Sequence, residues 1–244
     1  MTTAVEPAFI GRRTELDRLR LRLSGVHGGE ARTVLVSGEA GVGKSRLLRE
    51  FTAMARRAGA HVLHGSCDEY LGDAMPYLPL TEALDGFERE HGPAAAALGG
   101  PSYQLLAGLF DGTGQPPADA LGTQHQVFLA VRRMLDHIGA DAPVVLVVED
   151  LHWADVSTLG LVGVLARARP EGRRVMLVCS HRPSDSDGVR DTPLWQMLSN
   201  ADFLRRVEHF PLPPFTELEL RQFLAGIATG DGVTPTAFDA VHGA

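Results

Sequence analysis

The chain has 244 residues, 44% of them hydrophobic and 22% charged, enough for one full α/β core with a small appendage. No apolar run approaches the roughly 18 residues that span a bilayer, and the opening Met1-Thr2-Thr3-Ala4-Val5-Glu6 carries no charged and then hydrophobic signal, so a membrane or exported class is excluded and a cytoplasmic protein is expected. A net charge of -7, with arginines scattered or paired with acids, excludes the basic footprint of a nucleic-acid-binding domain.

In chain order, Leu16, Leu19 and Leu23 recur at helical spacing between charged residues and predict an amphipathic helix over about residues 13–24, followed by a turn from Gly25 to Glu30. Thr33-Val34-Leu35-Val36-Ser37 is a β-branched, apolar run that predicts a buried strand. Gly38-Glu39-Ala40-Gly41-Val42-Gly43-Lys44-Ser45 comes next and fits G-x-x-x-x-G-K-[ST], and Arg46-Leu47-Leu48-Arg49-Glu50-Phe51 then has helical spacing. Strand, glycine loop and helix is the order that phosphate binding requires. Small residues let the main chain approach the anion, and the helix N-terminus adds partial positive charge.

Lysine usage singles out the same loop. Of 23 Lys and Arg residues, Lys44 is the only lysine. A bias toward arginine wherever the two are interchangeable leaves lysine where a compact point charge is needed. The motif assigns Lys44 to the β and γ phosphates of a nucleotide triphosphate, the Ser45 hydroxyl to Mg²⁺, and Gly38, Ala40, Gly41, Val42, Gly43 and Arg46 to the cradle around them.

A second strand is expected over His61-Val62-Leu63-His64 after the Gly59 break, then an extended or looped stretch from Tyr70 to Pro79, a helix near Leu80 to Glu90, and a Gly, Pro and Ala-rich region through Pro117 with weak signals. Helical periodicity returns from Gln124 to Ile138 and ends at Gly139. Pro143-Val144-Val145-Leu146-Val147-Val148-Glu149-Asp150 suits a central parallel strand buried on both faces. A strand can end in acids merely because the next turn is solvated. Behind a phosphate loop, the carboxyl end of such a strand is where ligands collect, so Glu149 is expected to hold Mg²⁺ through water and Asp150 to orient or deprotonate an attacking water.

Asp155 or Ser157 is expected to cap a helix over about residues 158–169, and Arg174 to Ser180 to form a fourth buried strand. Arg182 then follows His181 and precedes Pro183. It is either a surface residue of a turn or a guanidinium that reaches a γ-phosphate. A helix from Thr192 to Leu198 and a strand from Phe203 to Phe210 complete a five-stranded unit, Leu212-Pro213-Pro214 marks a boundary, and helices from Thr216 to Ile227 and Pro235 to Val241 follow, with Thr216 and Glu219 at capping-box spacing. Cys67 and Cys179 match no metal or redox spacing and are expected to be reduced structural thiols.

Phe9-Ile10-Gly11-Arg12-Arg13, the phosphate loop, Glu149-Asp150-Leu151-His152-Trp153-Ala154-Asp155 and Ser180-His181-Arg182-Pro183 together resemble the ATPase module of the signal-transduction ATPases with numerous domains, close to the AAA+ group, which include LuxR-type regulators with large ATP-binding domains. The resemblance covers nearly the whole chain, and the acidic string is its most specific part. It implies an α/β P-loop NTPase with a five-stranded, mostly parallel sheet flanked by helices over residues 1–211, a variable insertion over about 66–122, and the start of a helical lid over 212–244. It also implies that Phe9, Ile10, Gly11 and Arg12 lie over an adenine, that Arg182 is a sensor arginine, and that Pro213 sits where the lid folds back. Many relatives end the acidic strand in Asp then Glu. Here the order is Glu149 then Asp150, which shortens the water-activating carboxylate by one methylene and implies slow hydrolysis. Relatives also continue into further domains, so a chain ending at Ala244 is expected to be a fragment or a short product.

The expected function is an ATP-binding, slowly hydrolysing, Mg²⁺-dependent switch controlling transcription, with self-association or other domains of a larger regulator as partners. No membrane partner is expected, and DNA binding is not expected from this segment. A replication-initiator-like DNA-loading ATPase shares the fold but calls for basic surfaces, and a small-molecule kinase calls for an acceptor pocket with arginines, which the region from Glu82 to Pro117 barely offers. Adenine is expected over guanine because no Asn-Lys-x-Asp motif is present.

Overall fold

The computed structural model describes residues 9, 11–69, 76–110, 120–168, 171–183, 192–222 and 225. Five strands, β1 (Arg32–Ser37), β2 (His61–Ser66), β3 (Val144–Glu149), β4 (Val175–His181) and β5 (Glu208–Pro211), form one parallel sheet in the order β2-β3-β4-β1-β5. Helices α1 (Arg13–His27), α2 (Lys44–Arg57), α3 (Leu78–His91), α4 (Ala95–Phe110), α5 (Ala120–Ile138), α6 (Val156–Ala166), α7 (Pro193–Leu198) and α8 (Ala201–Leu204) connect and cover it.

The sheet is apolar on both faces because alternate side chains of each strand go to opposite layers. Val34 and Val36, Val145 and Val147, and Met176 and Val178 pack with Leu19, Leu23, Leu47 and Phe51 of α1 and α2. Leu35, Leu146, Val148, Leu177 and Cys179 face the other layer, with Leu80, Phe87, Met134, Leu135 and Leu161 of α3, α5 and α6. Both cysteines are buried, and burial raises the Cys67 thiol to about 12 and pushes Cys179 up as well, so neither is a thiolate at neutral pH.

Register decides what meets at the carboxyl edge. Ser37 lies opposite His181, Val148 opposite Cys179, and Ser66 opposite Glu149, so the phosphate loop, the two acids and Arg182 leave the sheet at one end.

Several elements depart from the sequence expectation. The last strand was expected from Phe203 to Phe210, yet Ala201–Leu204 is helical and the strand runs over Glu208–Pro211. Asn200 explains the difference: its side chain accepts from Asp202 N–H and Phe203 N–H, capping a helical turn that turns Phe203 into the core. The Ala-rich region is also more ordered than its weak signals suggested. Ala95–Phe110 is helical, broken at Gly100 (φ 65°), where Pro101 begins a second run. Asp155, rather than Ser157, caps α6 by accepting from Ser157 N–H and Thr158 N–H. Smaller shifts lengthen α1 to His27 and β2 to Ser66. Thr216 and Glu219 form the expected capping box, with Thr216 N–H donating to Glu219 Oε2 at 2.8 Å and Glu219 N–H to Thr216 Oγ1 at 3.3 Å. Residues 217–222 are helical, while Ile10 and the helix expected from Pro235 to Val241 lie outside the described residues.

The crossing of α3 over β2 depends on Gly65, where an added Cβ would sit 1.8 Å from the Pro79 carbonyl oxygen. Gly65→Ala is expected to cost about 3 kcal/mol or more, since backbone must move. Gly86→Ala, in the open middle of α3, should stabilise by about 0.5–1 kcal/mol. Thermal unfolding of the two variants checks both, and a Gly65→Ala protein melting like the parent would contradict this packing.

Candidate functional site

The phosphate loop leaves β1 at Ser37 and enters α2 at Lys44 through Gly43, whose φ of 98° only glycine adopts without strain. Gly43 is the N-cap and offers no side-chain cap, so the first backbone N–H groups of the 14-residue helix remain available to an anion. Lys44 is buried, its Nζ donating to the carbonyls of Gly38 (2.7 Å) and Glu39 (2.9 Å). Burial lowers its pKa, Asp150 opposes that, and Arg182 reinforces it. Lys44 therefore shares one electrostatic environment with Asp150, Arg182 and Glu149.

Glu149 and Asp150 behave differently although adjacent. Burial works to raise the Glu149 pKa, but hydrogen bonds from His64 and Ser45 and the charge of Arg49 carry it below the ordinary carboxylate range. His64 Nε2 lies 2.7 Å from Glu149 Oε1, which makes the ring an N–H donor to the carboxylate. The other oxygen, Oε2, is buried without a hydrogen-bond partner among the described residues. An ionised carboxylate with one orphaned oxygen, beside the Ser45 hydroxyl, suits a hard cation that prefers oxygen ligands, so these two residues fit Mg²⁺.

Asp150 has the opposite shift. Burial and then the neighbouring Glu149 raise its pKa, while Lys44 and Arg182 pull it down. Its backbone is left-handed (φ 56°, ψ 48°), uncommon for a non-glycine residue, and its N–H donates to the buried Ser180 Oγ at 3.0 Å. This bond ties the end of β3 to the end of β4. The raised carboxylate thus sits on a left-handed turn at the end of β3.

Arg182 follows the last residue of β4 and is exposed. It acts electrostatically on Lys44, Asp150 and His152. His152, in the 3-10 turn Leu151–Trp153, has Nδ1 3.8 Å from Asp150 Oδ1. Burial first, then the positive charges of Arg182 and Lys44, lower its pKa to about 4.

Arg12 has a bracing geometry. It is 3% exposed, and its Nη2 donates to the Val42 carbonyl of the phosphate loop (3.0 Å) and to the Pro213 carbonyl after β5 (2.6 Å). The guanidinium also pairs with Glu15 at 3.1 Å and stacks 4.5 Å from the centre of the Phe215 ring. Gly11 packs against Phe215 and Glu219, where an added Cβ would sit 3.0 Å from side-chain atoms of both, and Phe9 lies partly buried on the α1–α2 side of the core. Arg46 pairs with Glu50 on α2 at 3.0 Å.

The expected residues Lys44, Ser45, Glu149, Asp150 and Arg182 thus converge, while Arg12 and Pro213 meet beside the loop. Sequence reasoning missed His64, and quoted Ser180 and His152 within the resembling strings without giving either a role. His64 carried no signal that set it apart, since β2 also holds His61 and Ser66 and is only partly buried at all three. Ser180 acts only through its cross-strand neighbour.

The sequence pattern of the AAA ATPase domain matches residues 8–178. An uncharacterized protein of Rhizobium meliloti (strain 1021) is 31% identical over 192 residues, which cover 72% of this chain and 19% of that protein, so the chain spans about a fifth of the curated relative's length. Among solved structures, Cdc6p of Pyrobaculum aerophilum is similar with a TM-score of 0.51 at 14% identity, over 93% of this chain and 52% of that one. A signal-transduction ATPase with numerous domains and a tetratricopeptide repeat sensor, from Pyrococcus horikoshii, aligns over 99% of this chain and 28% of its own length at 17% identity with a TM-score of 0.48. A pattern match over most of the chain, laid on a five-stranded parallel sheet with a phosphate loop, means that this chain belongs to the AAA ATPase domain family.

Proposed function

We propose that the chain is the ATP-binding, slowly hydrolysing, Mg²⁺-dependent switch module of a signal-transduction ATPase that controls transcription, of the LuxR-type class with large ATP-binding domains. The observation that carries the reading is the meeting of Lys44, Glu149, Asp150 and Arg182 at one sheet edge, with the two carboxylates shifted in opposite directions. That asymmetry suits one acid to hold charge and the other to move a proton.

In hydrolysis, Lys44 and the N-terminal N–H groups of α2 neutralise the phosphates, and Arg182 faces the γ-phosphate. Ser45 and Glu149 would hold Mg²⁺, which when bound would offset charge on the phosphates. Water oxygen bonds to the γ-phosphorus as the bond to the β,γ-bridging oxygen breaks. One water proton passes to Asp150 and from there to phosphate, leaving ADP and inorganic phosphate. Arg12 links the loop to Pro213, so the nucleotide state is felt where the chain leaves the sheet. Phe9, Ile10, Gly11 and Arg12 are assigned to the adenine side. A ligand shifts such a switch only by its differential affinity for the two states. The likeness to Cdc6p shows a shared fold, and a net charge of -7 speaks against a DNA-loading role for this segment.

Phosphate release from Mg·ATP, beside equilibrium binding, tests the reading. Lys44→Ala should weaken ATP binding about 10- to 100-fold, the size of a charge-assisted hydrogen bond of ~1.5–3 kcal/mol. Asp150→Asn should keep binding and lose turnover by about 10²- to 10⁴-fold. Turnover or binding indifferent to Lys44 would remove the proposal.

The raised Asp150 pKa sets a pH dependence. Its base form is lost as pH falls through its own pKa, so the acid limb of the rate profile should lie above the ~3.9 of an ordinary aspartate. A limb at or below that value would show that Asp150 is not the group being titrated.

A further inference from the structure

A cleft of about 410 Å³ opens at the end of the sheet opposite the phosphate loop, where β1, β4 and β5 begin and α6 ends. Its volume lies within the roughly 300–1,000 Å³ of small-molecule sites. Buried Leu165, Val175, Leu177 and Val207 give it an apolar lining, and Arg32, Arg173, Arg205 and Arg206 give it a charged one. Ala166 and Ala168 also line it, and their small side chains leave the space unfilled. β1 runs from Arg32 beside the cleft to Ser37 at the phosphate loop, six residues that set the two sites roughly 20 Å apart.

Four arginines around one cleft run against the net charge of -7. Glu208 is the acid in the lining, and it is already claimed by α1: Arg22 Nη2 donates to its Oε1 at 2.8 Å, and that pairing holds its pKa low. The exposed Arg206 side chain makes no hydrogen bond or ion pair among the described residues. Arg32 pairs with Glu30 and Arg205 with Asp202, each through one nitrogen, and water screens both pairs because all four side chains are about half exposed or more. Arg173 is fixed instead, with Nε 2.5 Å from Asp136 Oδ1 and Nη2 sealed in the protein, so it adds charge to the wall rather than a contact. Cations at the end of α6 would offset its dipole, but that role calls for no hollow between them.

We propose that this cleft binds a small organic anion, with its phosphate or carboxylate head held by Arg32, Arg205 and Arg206 and its apolar body lying on Leu165, Val175 and Val207. Guanidinium forks match the oxygens of either head in pairs, which a point charge does not. The free Arg206 supplies the first contact, and the two screened arginines turn to the ligand at small cost. The apolar lining selects an anion with a hydrophobic body over inorganic phosphate. The site is separate from the nucleotide site, since none of Lys44, Glu149, Asp150 and Arg182 lines the cleft.

The test titrates the full chain and its Lys44→Ala variant with phenyl phosphate, benzoate and inorganic phosphate, read by methyl NMR of labelled leucine and valine. Phenyl phosphate or benzoate should shift the Leu165, Val175 and Val207 methyls saturably and alike in both proteins, and the tighter of the two names the head group. Inorganic phosphate should bind more weakly than phenyl phosphate. Arg206→Ala should weaken binding about 3- to 10-fold, while Arg20→Ala, an exposed arginine on α1, should stay within about twofold. Ala168→Phe, which fills the cleft and keeps its charge, should abolish binding, and if it fails to fold the parental methyls and Arg206→Ala decide. Methyls that stay still at millimolar probe, shifts that never saturate, or binding indifferent to Arg206→Ala would overturn the inference. Binding lost in Lys44→Ala with the cleft methyls unmoved would place the anion at the phosphate loop and also overturn it, leaving the ATPase reading intact. A hexaglutamate peptide that held the cleft more tightly than phenyl phosphate would overturn the small-ligand reading.

Discussion

The bond from Asp150 N–H to Ser180 Oγ ties together the ends of two neighbouring buried strands, and the geometry of the site follows from it. β3 and β4 are apolar on both faces, so their polar groups can appear only where the strands stop. By capping the first N–H beyond β3 with a buried hydroxyl, the chain turns sharply at Asp150 into a left-handed residue. Glu149 stays at the sheet edge, Asp150 projects beyond it, and His152 returns toward the same place. Without that turn the two acids would alternate to opposite faces, as neighbours in a strand do.

Charge at this edge is balanced by position more than by number. Lys44 and Arg182 pull Asp150 toward ionisation against its burial, and the same two cations add to the burial that lowers His152 to about 4. Glu149 draws its own stabilisation from His64 on β2, across the sheet from the phosphate loop. The two carboxylates therefore rely on different partners and can differ in protonation although one peptide bond separates them. Such separation of adjacent acids is what lets a site hold charge and transfer a proton at one pH.

Arg12 extends the site in a different direction. A buried guanidinium is costly unless its donors are used. Here Nη1 is directed at Glu15 and Nη2 at Val42 and Pro213, while Nε is buried with no partner among the described residues. The arginine thus joins the segment before α1, the phosphate loop and the chain beyond β5 without relying on a shared secondary element. Movement of the loop by a bound phosphate would be felt at Pro213 and Phe215 through this one side chain.

The amino-acid sequence by itself determined the phosphate loop, the buried strands before and after it, the acid pair and the capping box at Thr216, because each rests on local spacing: glycines where the backbone must turn, apolar runs where it must be buried, a hydroxyl and a carboxylate three residues apart. It also brought out Lys44, through the absence of any other lysine. Local pattern misjudged Phe203 to Phe210, where an asparagine cap outweighed apolar spacing, and it undervalued an Ala-rich stretch whose helices are stabilised by packing on α5. Strand order, the partnership of His64 with Glu149, the opposite shifts of Glu149 and Asp150, the brace at Arg12 and the sealed ring of His152 were decided only by tertiary structure. Each joins residues far apart in the chain or depends on how much water reaches a group, and neither distance in space nor exposure is written in the order of the residues.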